Sequence, residues 1–142
     1  MKLLKSFVFI CVICMATNLL TKQDINNLTE LIQKLSKSDG GETFELNYKI
    51  SKALVANDSL FFKVMNAHQQ EFQLWLDDLD TGTFTIFNAE DDVDIILYTA
   101  MLAKLKELML EKTDKYLNHP KYKKLAQKVK ERLSNISVRS ID

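Results

Sequence analysis

The string Asp77-Asp78-Leu79-Asp80-Thr81-Gly82 holds the densest set of groups able to do chemistry. Three carboxylates near a glycine suggest first a calcium loop, which needs oxygen ligands at its third position and a bidentate Glu at its twelfth. Counted from Asp77 those places hold Leu79 and Asn88, and counted from Asp78 the glycine falls one residue early. Asp80-Thr81-Gly82 also matches the short motif of aspartic proteases, but the flanking residues read helical, without the strands that would pair two such carboxylates. Asp78-Leu79-Asp80 would suit a phosphotransferase nucleophile only at a strand end in a large α/β domain. The favoured reading is a helix end running into a turn.

Other reactive types are sparse. His68 and His119 are the only histidines, and neither has the three or four convergent partners of a zinc site. No serine-nucleophile motif, glycine-rich phosphate loop or zinc-protease motif occurs, so the sequence implies no cofactor and no metal. Both cysteines, Cys11 and Cys14, lie in an apolar N-terminal segment. Asn27, Asn57 and Asn135 begin Asn-x-Ser/Thr triplets, and Asn57 is equally well placed as a helix cap.

That N-terminal segment reads as an export signal over residues 1–16. Lys2 and Lys5 precede an unbroken apolar run from Phe7 to Ala16, too short to span a bilayer. Cys14 and Ala16 are small residues suited to a cut before Thr17. The alternatives are a signal reaching to residue 20, or an uncleaved anchor extended through Leu19 and Leu20. Cleavage would leave residues 17–142 as one cysteine-free domain, secreted or, in a Gram-negative cell, periplasmic. Membrane contact is then expected only during export or through an uncleaved anchor.

The charges are unevenly spread along a chain that is neutral overall. Val64 to Ala103 contains eight acids and no Lys or Arg, whereas Lys104 to Arg132 contains ten bases and four acids. Mutual cancellation of the two blocks is preferred to a partner-binding field. Lys121, Lys123, Lys124, Lys128, Lys130 and Arg132 have few aromatics among them to stack on bases, so nucleic acid is not expected as a partner.

The elements that must position these groups are predominantly helical. One proline and three glycines are few for 142 residues, where ordinary usage gives roughly 7 and 10. Ile25, Leu28, Ile32 and Leu35 predict a first helix, ended by Ser38-Asp39-Gly40-Gly41. Glu42 to Ala56 is ambiguous. Phe44, Leu46, Tyr48 and Ile50 alternate like a strand, while Leu46, Ile50, Ala53 and Leu54 fit a helix, which the Ser-Lys-Ala-Leu-Val-Ala ending favours. After an Asn57 cap, a single helix is predicted to about Leu79, with Phe61, Met65, Phe72 and Trp75 on its apolar face. Residues 83–87 read as a short extended loop. Asn88 caps a long helix with Glu90, Asp91 and Asp92 in its first turn, and its wide apolar surface predicts a central position. Pro120 suits the first turn of a last helix striped by Tyr122, Leu125, Val129 and Leu133, and the tail from about 135 reads as frayed.

The sequence thus predicts an all-α compact bundle of about five helices. The expected function is a non-enzymatic exported protein-binding module of the inhibitor or immunity type. Its expected contact surface is acidic: Asp77, Asp78, Asp80, Glu90, Asp91, Asp92 and Asp94. One alternative is a carrier with a cavity lined by Phe61, Met65, Phe72, Met101 and Leu105; another is an enzyme using the Asp77–Asp80 carboxylates.

Overall fold

A computed structural model describes residues 23–87 and 92–141. The export segment, Asn88, Glu90 and Asp91 lie outside the described residues. Among those described are six helices and two short strands, an all-α bundle with a small strand pair at one end.

Helix α1 (23–35) buries Leu28, Ile32 and Leu35, the stripe its spacing predicts. Gly40 turns the chain with φ of +50°, a conformation that disfavours any residue with a Cβ. Helix α2 (Gly40–Ala56) resolves the ambiguous segment as helical. Its buried residues are Leu46, Asn47, Ile50, Ser51 and Leu54, the i, i+1, i+4, i+5 and i+8 positions of one helical face. The strand-like alternation was coincidental, since Phe44 is exposed and Tyr48 only half-buried.

Asn57 ends α2 and begins α3 (Asp58–Ala67), accepting a hydrogen bond from the Leu60 amide at 3.1 Å. The single helix expected to Leu79 is instead two, because His68 leaves helical geometry (φ −128°, ψ 66°) before α4 (Gln69–Thr83). The break has a packing reason. Helix α3 is buried on two sides: Phe61 packs edge-on against Trp75 with ring centroids 5.1 Å apart, and Phe62 packs on Tyr116 at 4.5 Å. Turning the chain at His68 lets both halves of one continuous apolar stripe reach that core.

Helix α4 does not stop at Asp80-Thr81-Gly82 but runs on to Thr83. Gly82 serves close packing rather than a turn, since a Cβ there would stand 2.8 Å from the Asn47 side chain of α2. A buried polar junction lies nearby. Ser51 donates to the Asn47 carbonyl at 2.8 Å. Its single proton being used, Ser51 accepts from Trp75 Nε1 at 3.2 Å and from the Thr83 hydroxyl at 3.0 Å. These bonds lock α4 onto α2 in a core that also holds Phe72 and Leu79.

The extended segment forms strand β1 (Thr85–Phe87), and the tail expected to be frayed supplies its partner. Strand β2 (Arg139–Ile141) pairs with it in parallel, Thr85 against Arg139 and Phe87 against Ile141. Ile136 is buried and anchors the approach to β2. Between the strands run α5 (Asp92–Asp114) and α6 (Lys123–Ser134). Helix α6 buries the expected stripe of Leu125, Val129 and Leu133 but starts after Pro120 rather than on it. The His119 ring holds the intervening turn, its Nδ1 accepting from the amides of Lys121 at 3.2 Å and Tyr122 at 3.3 Å.

Helix α5 departs most from expectation. It was expected to be central, yet only Leu102, Met109 and Thr113 are buried. Val93, Ile96, Leu97, Tyr98 and Met101 are exposed. Among the described residues no helix is long and apolar enough to cross a membrane.

Candidate functional site

Helix α5 meets the core along one narrow line, Leu102 and Met109 being two turns apart. Its amino-terminal half therefore stands away from α2 and leaves a groove between them. The groove, about 670 Å³ in volume, is floored by Gly82, Thr83, Thr85 and Ile86 and walled by Phe44, Tyr48, Tyr98 and Met101. Phe44 and Phe87 close one end, their ring centroids 4.9 Å apart. Tyr48 and Met101 also line a second hollow of about 450 Å³, which continues along α2 and α5 past Val55, Leu105 and Leu108.

The walls are apolar and the rims are charged with opposite signs. Glu45 and Asp94 stand at the β1 end, Lys52 and Lys104 at the other. Lys49 forms an ion pair with Glu45, and its hydrogen bond and charge hold that carboxyl below the usual range. Lys52 lies over the Tyr48 ring, 5.5 Å from its centroid, a cation–π contact at the junction of the two hollows. Of the nine large hydrophobic side chains exposed among the described residues, all but Leu74 lie on α5 or are Phe44, Phe87 and Ile141 around the strand pair. A single exposed Leu or Ile is commonplace, whereas a concentration of them on one helix and one strand pair is not.

The structure divides the acidic block. Asp77, Asp78 and Asp80 occupy α4, where successive side chains point about 100° apart. Asp77 accepts from Gln73 at 2.8 Å, and Asp80 pairs with Arg139 of β2 at 3.2 Å. Arg132 of α6 donates to the carbonyls of Leu76 and Asp77 at 3.1 and 2.8 Å. Arg139 lies beyond the Lys104–Arg132 block, and Arg132 meets α4 through backbone carbonyls rather than carboxylates. Asp92 is exposed in the first turn of α5, and Asp94 lines the groove. Glu90 and Asp91 lie outside the described residues.

The residues expected to line an apolar cavity are also divided. Phe61, Met65 and Phe72 are buried in the core, whereas Met101 and Leu105 line the groove and its extension. Phe44, Tyr48, Phe87 and Tyr98 were not expected as site residues. The signal was present in α5, whose apolar positions outnumber what one buried face can use. Among the described residues no group of three or more His, Cys, Asp or Glu stands close enough to hold a metal ion.

No family model matches the chain, and no curated protein and no solved structure matches it.

Proposed function

We propose that the chain is an exported, non-enzymatic module that binds another protein, in the manner of an inhibitor or immunity-type partner, through the groove between α2 and α5. The apolar groove opening beside an exposed apolar helix face carries this reading. A groove of this form takes an amphipathic helix, with apolar side chains at i, i+3, i+4 and i+7 entering between the walls. The rim charges set its polarity: basic residues beside Asp94, acidic residues beside Lys52. Of the expected acidic surface, Asp94 is the described residue that lines the groove, and it is the acid this reading assigns to the contact.

Affinity capture from the native host with matched variants tests this reading. Tyr98→Ala with Met101→Glu is expected to abolish the complex, Asp94→Asn to weaken it, and Asp77→Asn with Asp78→Asn to leave it intact. A complex indifferent to the groove variants overturns the proposal. Mass spectrometry of the captured chain also reads its amino terminus, and retention of residues 1–16 would argue against cleavage of an export signal. The second reading, a carrier of a small apolar ligand, rests on a groove volume of about 670 Å³, within the range of small-molecule sites. Saturable binding of an apolar dye, lost in Met101→Glu, would favour it over a protein partner.

A further inference from the structure

The outer side of α5 carries a second apolar feature, distinct from the groove. Val93, Ile96 and Leu97 are 72, 70 and 63% exposed, and Ala100 is exposed beside them. The i, i+3, i+4 and i+7 spacing places the four on one stripe of the helix. None of them lines the groove, so what covers this stripe is independent of the groove's occupant.

The stripe is graded in two ways. Its beginning carries large side chains and an acid, Asp92; its end carries the small Ala100 and then the base Lys104. A copy of the same helix laid antiparallel is complementary in both respects. With the two-fold axis level with residue 98, Asp92 of each copy meets Lys104 of the other, Val93 meets the exposed Ala103, and Ile96 meets Ala100, with Leu97 of both copies flanking the axis. A parallel copy would set Asp92 against Asp92. Lys104 already contacts Glu107 at 3.0 Å, but both side chains are more than half exposed, so that pair is weak and can be shared. The acids at this end also disfavour an anionic lipid surface.

We propose that the outer stripe of α5 is a homodimer interface, two copies crossing antiparallel about a two-fold axis level with residue 98. A two-fold contact of this kind is closed, using the same patch on both copies. Sedimentation velocity on the purified chain over a range of concentrations tests it. A reversible monomer–dimer equilibrium is expected. Ile96→Glu and Leu97→Glu, each at an exposed position, are expected to raise the dimer Kd at least tenfold without altering the fold by circular dichroism. Asp92→Lys and Lys104→Asp should each weaken the dimer, and the double swap should restore it. A chain that stays monomeric, or a dimer indifferent to Ile96→Glu, overturns the proposal. A dimer broken by Ile96→Glu but not rescued by the double swap overturns the antiparallel arrangement. Tyr98→Ala with Met101→Glu, which tests the groove, should leave the dimer intact, so failure of one reading is distinguishable from failure of the other.

Discussion

Helices α4 and α5 carry similar ingredients, aliphatic and aromatic residues at helical spacing with carboxylates between them, and come to opposite ends. Helix α4 buries Phe72, Trp75, Leu76 and Leu79, closes against α2 at Gly82, and has Asp80 paired with Arg139. Helix α5 holds the core with Leu102 and Met109 and turns Val93, Ile96 and Leu97 to the outside. An apolar stripe is satisfied only where another element arrives to cover it. On α4 the neighbours arrive from α2 and α3; on α5 they cover one side. The unsatisfied part of α5 is where binding is expected, because it is the surface with most to gain from removal from water.

The largest effect that separates the two helices is core truncation. Trp75→Ala should cost about 3–5 kcal/mol, removing a fully buried indole, its ring contacts with Phe61 and Phe72, and its bond to Ser51. Chemical denaturation checks it through the transition midpoint. Gly82→Ala should follow at about 1–3 kcal/mol, because the new Cβ meets Asn47 at 2.8 Å. The sign is diagnostic, since by helix propensity alone alanine outranks glycine by ~1 kcal/mol. Gly41→Ala in α2 is the control: nothing lies within 4 Å of its would-be Cβ, and it should be neutral or slightly stabilising. Equal effects at both glycines would show that α4 is not packed as closely as described.

The contrast also explains what was legible in the sequence. Periodicity located α1 and α6, because each has one apolar stripe and one partner side, whereas α2 fitted both periods and was decided by its Ser-Lys-Ala-Leu-Val-Ala ending. It could not reveal the break at His68, since the stripe from Phe61 to Leu79 continues unchanged across it. Gly82 read as a stop because glycine has two uses, and only the nearness of Asn47 tells them apart. The strand pair was hidden by distance along the chain: Thr85–Phe87 finds Arg139–Ile141 only after two helices have folded back. On α5 the spacing counted apolar residues correctly but could not count the neighbours available to cover them. The groove followed from that shortfall, so its walls on α2 and β1 were not named in advance.

A smaller effect tests the other end of α5, where the helix is firmly held. Asp58, in the first turn of α3, accepts from Lys115 at 3.1 Å and from the Tyr116 hydroxyl at 3.2 Å. Burial pushes the Asp58 carboxyl up, but the Lys115 bond and charge and the Tyr116 bond outweigh it and hold it below the ordinary range. The stabilisation is therefore present above the unfolded carboxyl's pKa of about 3.9 and is lost as pH falls through the lower folded value. Asp58→Asn should cost about 1 kcal/mol at neutral pH. The gap from the parent chain should close as the pH falls through and below that of the unfolded carboxyl, measured as the difference in melting temperature. A gap that does not change with pH would show that the clasp contributes nothing through its charge.

The smallest effect is expected where α5 is most apolar. Ile96→Ala and Leu97→Ala should each change the stability of the monomer by no more than about 0.5 kcal/mol, as exposed positions do. Measured at concentrations low enough to keep the chain monomeric, both variants should melt with the parent. At higher concentrations the parent should melt later than either variant, because a dimer that binds only the folded state adds to its apparent stability by mass action. The two measurements together separate the meanings of an exposed Ile or Leu. A residue that stabilises the monomer belongs to a core the α5 face was supposed to lack. One that matters only when the chain is concentrated belongs to an interface between copies. One silent at every concentration would leave the outer stripe without a second copy to cover it.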